Sequence, residues 1–433
     1  MSNIRDAIER KILESRRVRT IIAVVVLLVA AILIALAIKK ALTRDLDLYV
    51  LLNAARRITF GIDIYSSPSP TGAYYLYLPF IAVLFVPFTF VAEQVAGIAW
   101  TLASILLIGW SLHAWIKLLA GERYSHLSAF EKWALHLLPI IFCFDAISSE
   151  IGNGQVNCLI LATTVFAIRL GLRDSQLKSG ILLGLAFVAK LLNAPVIAYH
   201  LFTRRFRPVV GAALALAIGI LLPALFVGIL RDLDYTSYWL STIAFNGDLV
   251  SHRSGFAGNT SLAAVLFRLF SDIPAFVSNG VSYSVNIATI DGSVLRWAGP
   301  AVAILTLGWL GIYAYLYGSR RPLVSYFGGV ALAFCLAPVM IPIAERPHFL
   351  MLLPAYAYAS YVWIHLRLNG KPFYAFLIAA FVLSTLTLKV YVGDFLGNAF
   401  WTLGAPTWAA VCLAAAIFVA ANRLKGGDLT AEE

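Results

Sequence analysis

Charge is the scarcest ingredient of this chain. Asp, Glu, Lys and Arg make up 13% of its 433 residues, against about a quarter in an ordinary soluble domain. Together with 61% hydrophobic residues and a mean hydropathy of +0.85, this excludes a string of soluble domains. Cysteine is sparse too. Cys143, Cys158, Cys335 and Cys412 stand singly in or beside apolar segments with no C-x-x-C pair, so they read as packing residues rather than metal ligands. The seven histidines form no H-x-x-E or H-x-x-x-H grouping, which excludes the common zinc signatures. A P-loop is missing, and no stretch is long and polar enough to be a cytosolic domain that holds a nucleotide sugar. No tandem period and no low-complexity segment are found.

What the chain has in quantity is apolar runs. Thr20 to Ile38 are nineteen consecutive uncharged positions, about the thickness of a hydrocarbon core at 1.5 Å per residue. Lys39-Lys40 follow where a signal peptide would carry small cleavage-site residues, so this run reads as an uncleaved first span. Further runs cover 78–92, 96–116, 134–147, 156–172, 179–202, 208–230, 297–317, 323–343, 348–364, 373–392 and 405–421, which makes twelve in all. The fold class is therefore an all-α polytopic membrane protein, one integral membrane domain over 1–433, with about twelve transmembrane helices.

The net charge of +11, from 33 basic against 22 acidic residues, gathers between the runs as in cytoplasmic loops. It forms no basic stripe interleaved with exposed aromatics, so nucleic acid is not a partner. A basic tail over 1–19, with Ile4, Ile8 and Ile12 on one helical face, sets the amino terminus in the cytoplasm. An even number of spans returns Arg423 and Lys425 to that side, and it places Arg204-Arg205-Phe206-Arg207, Arg320-Arg321 and Arg367 to Lys371 there as well. The same parity puts Arg123, Lys132, Arg173 and Lys178 outside, against the charge rule. Two outer segments, 39–77 and 231–296, are longer than connection requires. The second contains Leu262 to Phe270, apolar but too short to span, which reads as an interfacial helix. Long loops on one face put the chemistry on that face.

Ionisable groups against apolar runs cost several kcal/mol unless they are paired, hydrated or used. Asp47 stands where the first span meets the outer surface, placed to serve as general base toward a hydroxyl arriving from outside; a solvated acid paired with Arg44 or Arg56 is the plainer alternative. Asp63 follows in Gly61-Ile62-Asp63-Ile64-Tyr65, and Tyr77 lies in a tyrosine-rich entry to the next run, either an aromatic belt or a platform for a sugar or lipid headgroup. Gly154-Gln155-Val156-Asn157 sets two amides beside flexible glycine. Lys190 has apolar neighbours on both sides and is fit to neutralise a phosphate. Asn259 and Ser261 precede Arg268, which is two helical turns beyond Ser261 and on its face, a grouping suited to phosphate. His348, at a membrane surface, has an unperturbed pKa near neutral.

In order and spacing these segments resemble the family 87 glycosyltransferases, of the GT-C class. The resemblance runs through Asp47-Leu48-Tyr49-Val50, Ala54-Ala55, Gly61-Ile62-Asp63-Ile64-Tyr65, Tyr77-Leu78-Pro79, Gly154-Gln155-Val156-Asn157, Lys190 with Pro195, and Gly258-Asn259-Thr260-Ser261-Leu262 with Arg268. Two departures stand out. A tyrosine often found four residues after the first-loop Asp is Leu51, and the family's late His-His is reduced to Pro347-His348-Phe349. The resemblance implies a polyprenyl-phosphate sugar donor carrying mannose or arabinose, a lipid or glycan acceptor, and a monomer in the cell membrane with its active site outside. Asp47 is then the catalytic base, with His348 as partner or substitute and Asp63 in reserve. Arg268 and Lys190 hold the donor phosphate with help from Asn259 and Ser261, and Gln155, Asn157 and Tyr77 line the substrate site. No cofactor is implied, no metal ligand is assigned, and a divalent cation is left open. A flippase of lipid-linked sugar and an envelope polymerase are the rival readings; a transporter should carry its key groups near the midplane instead.

Overall fold

The computed structural model describes residues 16–43, 46–70, 72–244, 258–318, 323–368 and 370–425. The interfacial helix expected of the first residues, the Arg44 partner expected of Asp47, and Arg320-Arg321 lie outside these. Helix α1 (Arg16–Thr43) runs for 28 residues and contains the first apolar run. Five further stretches, Glu93–Ser125, Phe206–Val227, Gly292–Tyr317, Leu323–Met340 and Ala405–Leu424, are long and apolar enough to cross a membrane. Two bent pairs, Ala129–Phe142 with Phe144–Asn153 (66°) and Lys371–Leu386 with Lys389–Thr402 (94°), bring that number to seven.

Besides the runs 134–147 and 373–392, which these bends break, two more of the apolar runs fold differently from their expected form as single spans. The run 78–92 is a short helix, α3 (Pro79–Phe85), continued by a 3-10 turn over Val86–Phe90. Proline is the physical reason, since Pro87 has no N–H to extend the ladder. The run is apolar because it packs on protein: the Phe85 ring lies 4.9 Å from that of Trp100. The run 179–202 divides into α8 (Gln176–Ala189) and α9 (Ala194–Phe202). Lys190 ends the first with an extended backbone, and Pro195 falls in the first turn of the second. Between α1 and α3 the chain forms α2 (Leu48–Thr59). Four more helices fill the span from there to α8: α4 (Glu93–Ala120), α5 (Ala129–Phe142), α6 (Phe144–Asn153) and α7 (Asn157–Gly171). A capping box between Ser128 and Glu131 opens α5, satisfying two otherwise orphaned N–H groups.

Glycine sets the next contact. Helix α10 (Phe206–Leu221) lies so close to α8 that a Cβ on Gly180 would fall 2.0 Å from the Pro208 carbonyl oxygen, and one on Gly184 2.4 Å from that of Ala212. Gly219 meets Val188 in the same way. These partners ascend together, so α8 and α10 run in the same direction and α9 carries the chain back between them. Beyond lie α11 (Ile229–Tyr238), α12 (Leu262–Phe270) and a hairpin of β1 (Phe276–Ser278) and β2 (Val281–Tyr283), in which Phe276 pairs with Tyr283. The helix expected at Leu262 to Phe270 forms over those residues, with the Ser261 hydroxyl accepting from the Ala264 N–H as its cap.

The remaining helices are α13 (Ala298–Tyr317), α14 (Leu323–Met340), α15 (Leu353–Ile364), α16 (Lys371–Phe381), α17 (Lys389–Thr402) and α18 (Ala405–Lys425). Helix α14 is the centre of the bundle, with 83% of its spanning window buried. Gly328 and Gly329 let it approach the rings of Tyr313, Tyr358 and Tyr199, as small residues do between membrane helices.

Contacts sort the helix ends into two groups. Asp47 bonds Asn153, Gln155 meets Lys190, the Pro342 carbonyl faces the start of α12 and the Thr402 carbonyl accepts from Arg268 in its last turn. At the other end Lys117, Arg169 and Arg173 share one cavity, His365 meets Glu131, Thr203 touches Gly318 and Arg423 covers Gly370. Arg123, Lys132, Arg173 and Lys178 fall in this second group, beside Arg204 and Arg205, and not with Asp47 as counting spans had placed them. The parity in between shifts because 78–92 forms only a short helix and a 3-10 turn and 179–202 holds two helices.

Replacing Gly184 with Leu should cost about 1–3 kcal/mol through overpacking and lower the melting temperature in detergent. Gly308→Ala, where a Cβ meets nothing within 4 Å, should leave it unchanged.

Candidate active site

The turn between α6 and α7 is where the polar groups meet. Gly154 takes a left-handed φ of 63°, ending α6 as glycine readily does and turning Gln155 back toward α1 and α2. The backbone of Gln155 is fixed on both sides: its N–H donates to the Glu150 carbonyl at 3.2 Å and its carbonyl accepts from the Trp100 indole at 3.1 Å. The side-chain amide then has one orientation. Its NH2 donates to Asp47 Oδ2 at 2.6 Å, while its oxygen accepts from Lys190 Nζ at 3.2 Å and the Tyr77 hydroxyl at 3.4 Å. The Lys190 ammonium also lies 5.5 Å over the Tyr77 ring. Asp47 is held from its own backbone, whose N–H donates to the Asn153 carbonyl at 2.7 Å, and its side chain is exposed. Arg56, a candidate partner for Asp47, pairs with Glu93 instead.

Behind this line Glu150 is fully buried and accepts from the Cys158 N–H and the Asn157 amide, both at 2.7 Å. Asn157 thus supports the buried acid. Lys190 lies within electrostatic reach of Glu150, Glu345 and Asp47, and His348 within reach of Lys190. His348 is buried, and its Nδ1 accepts from the Glu345 N–H at 3.0 Å, which fixes the ring.

Three expected phosphate ligands are turned on the backbone. Asn259 donates to the Pro342 carbonyl at 3.1 Å and accepts from the Ala344 N–H at 3.0 Å. Ser261 donates to the same Pro342 carbonyl at 2.8 Å. Arg268 is fully buried, with Nε and Nη2 on the Thr402 carbonyl at 3.0 and 2.7 Å and Nη1 on that of Asn259 at 2.9 Å. Together they tie α12 to the segment carrying Glu345 and His348 and to the end of α17. Asp63 stands apart, its carboxylate capping the Tyr65 N–H at 2.8 Å. Tyr65 there packs on Tyr75, Tyr235 and Tyr238, and burial pushes its phenol up.

Beside the Asp47 line opens a cavity of about 380 Å³ lined by Lys40, Asp145, Ser148, Ser149, Asn153, Glu345 and Arg346, among others. Asp47 itself does not line it; Asn153, which holds Asp47, does. Arg346 stacks 3.3 Å from the Trp401 ring centroid and lies 3.6 Å from Asp145 Oδ1. Burial pulls its guanidinium below the ordinary value against the opposing pull of Asp145. Sequence reasoning gave Lys40, Asp145, Glu150, Glu345 and Arg346 no role. The signal available was Glu150, an acid beside an apolar run, and Arg346, two residues before His348.

The glycosyltransferase family 87 model matches residues 75–342. The chain belongs to this family. The matched stretch contains Tyr77, Gln155, Asn157, Lys190, Asn259, Ser261 and Arg268, and leaves Asp47 and His348 on either side of it. This glycosyltransferase is also 24% identical, over 79% of its length and 84% of the relative's, to a polyprenol-phosphate-mannose-dependent alpha-(1-2)-phosphatidylinositol mannoside mannosyltransferase of Mycobacterium tuberculosis. No solved structure matches the chain.

The ties made by Arg268 set an expectation. Arg268→Gln should strip donors from two buried carbonyls, each worth about 1–3 kcal/mol, and lower the melting temperature while the donor KM of the folded fraction changes little. An unchanged melting temperature with a raised donor KM would return Arg268 to the phosphate.

Proposed function

We propose that this glycosyltransferase moves a single sugar, mannose in preference to arabinose, from a polyprenyl-phosphate donor to a hydroxyl of a lipid or glycan acceptor, with inversion. The observation that carries this reading is the Asp47–Gln155–Lys190 line. It sets an exposed carboxylate and a cation on opposite sides of one amide, beside a cavity with two more cations. Asp47 takes the proton of the acceptor hydroxyl, and the oxygen attacks the anomeric carbon. The bond from that carbon to the phosphate oxygen breaks, and polyprenyl phosphate leaves with the electron pair. Lys190, with Arg346 and Lys40 along the cavity, stabilises charge on the departing phosphate. His348, held by the Glu345 N–H and within electrostatic reach of Lys190, assists Asp47; Asn157 and Tyr77 hold the line in place, and Asn259, Ser261 and Arg268 position the wall opposite. Asp63 is the reserve carboxylate.

The proposed orientation has about twelve passes, both termini in the cytoplasm, and the site on the outer face of the cell membrane. Support comes from the grouping of cations at the end away from Asp47, which the positive-inside rule assigns to the cytoplasm. A donor already anchored in lipid needs no nucleotide-binding domain, in keeping with a chain that carries no P-loop. Polar groups gathered at one end of the bundle favour an enzyme over a transporter, whose site lies near the midplane. The protein is proposed to act as a monomer.

The test is transfer of labelled mannose from polyprenyl-phosphate mannose by purified protein in lipid nanodiscs. Asp47→Asn should lower kcat by about 10²–10⁴-fold, the range of general-base catalysis, with donor KM little changed. Full activity in that variant would remove Asp47 from the chemistry.

A further inference from the structure

A second cavity, of about 480 Å³, opens at the end of the bundle away from Asp47, between the last turns of α4 and α7. Lys117, Arg169 and Arg173 line it, with Trp110, His113 and Tyr124. Glu122 is the one acid among the lining residues, so three cations face a single carboxylate. Arg169 in the last turn of α7 and Arg173 in the turn that follows it both line the cavity, and neither is in an ion pair among the described residues. Lys117 and Lys132 both approach the Tyr124 ring, at 5.4 and 5.5 Å from its centroid, which gathers a fourth cation at the rim. None of these groups serves the proposed transfer reaction.

The cavity continues into an exposed apolar track. Leu102, Leu106 and Trp110 repeat every four residues along α4, at 46%, 72% and 37% exposure, and the same face ends in His113 and Lys117. On α7 Phe166, 41% exposed, lies one turn before Arg169, its ring 6.1 Å from that of Trp110. Apolar side chains toward the middle of the bundle and arginines at its end reproduce the profile of one phospholipid. The track suits acyl chains, and the forked guanidinium groups suit a phosphodiester.

We propose that this cavity binds the headgroup of an anionic phospholipid with its chains laid along Leu102, Leu106, Trp110 and Phe166. Basic pockets between membrane helices on the cytoplasmic side are suited to such headgroups. The continuous apolar track is what favours a lipid over free phosphate. The site is distinct from the Asp47 line and holds whether or not that line is catalytic.

Native mass spectrometry of the full-length protein tests this, with phosphatidylglycerol, phosphatidylcholine and inorganic phosphate as probes. Phosphatidylglycerol adducts should exceed phosphatidylcholine adducts. They should fall about thirtyfold in R169Q/R173Q, taking about fivefold per cation, and recover in R169K/R173K. Equal retention of the two lipids, or unchanged retention by R169Q/R173Q, would overturn the proposal. Competition by millimolar phosphate as strong as that by the lipid would also overturn it, in favour of a free-phosphate site. Should R169Q/R173Q fail to fold, the comparison of the two lipids on the wild-type protein decides alone.

Discussion

Gln155 is an uncharged amide held between a carboxylate and an ammonium group, and the rest of the site is arranged to keep it there. Ionisable groups beside a hydrocarbon core are tolerated only when each has a partner. An amide is suited to the task because one end donates and the other accepts. Its NH2 meets Asp47 and its oxygen meets Lys190 and Tyr77. Three distant parts of the chain therefore converge on one side chain. The left-handed turn at Gly154, the Trp100 bond to the Gln155 carbonyl and the break of α8 at Lys190 all follow from that convergence.

The buried acid Glu150 extends the same logic one layer inward. It takes the Asn157 side-chain amide and the Cys158 N–H at the start of α7, and stands within electrostatic reach of Lys190. Acid and cation are separated by groups that satisfy both, and Asp47 remains exposed at the front of the line. On the opposite wall Arg268 joins the Asn259 turn to the end of α17. The Arg268 cation there orders backbone, whereas Lys40 and Arg346 line the cavity and Lys190 meets the Gln155 amide.

Much of this was legible in the sequence. The apolar runs, the helix over Leu262 to Phe270 and the chemical promise of Asp47, Gln155 and Lys190 all followed from residue type and spacing, because each is a local property. Direction and partner are not local, and they could not be read the same way. Pro87 in the run 78–92 fits a kinked span as well as a short helix buried against Trp100, and Lys190 and Pro195 in 179–202 do not by themselves separate a kink from a full break. Arg268 has the composition of a phosphate ligand, but only the fold reveals the two carbonyls waiting for it. Arg346 and Lys40 were passed over because they come from segments about 300 residues apart and acquire a shared meaning only across the cavity.

The central claim is that the reacting groups lie between Asp47 and the cations beside Gln155. A cryo-EM structure of the protein with a non-transferable polyprenyl phosphonate analogue of the donor tests it most directly. The account predicts the phosphonate against Lys190 and the cavity of Lys40 and Arg346, with the anomeric carbon turned toward Asp47. Phosphonate bound at the opposite end of the bundle, or anchored on Arg268 with Asp47 facing away, would contradict it.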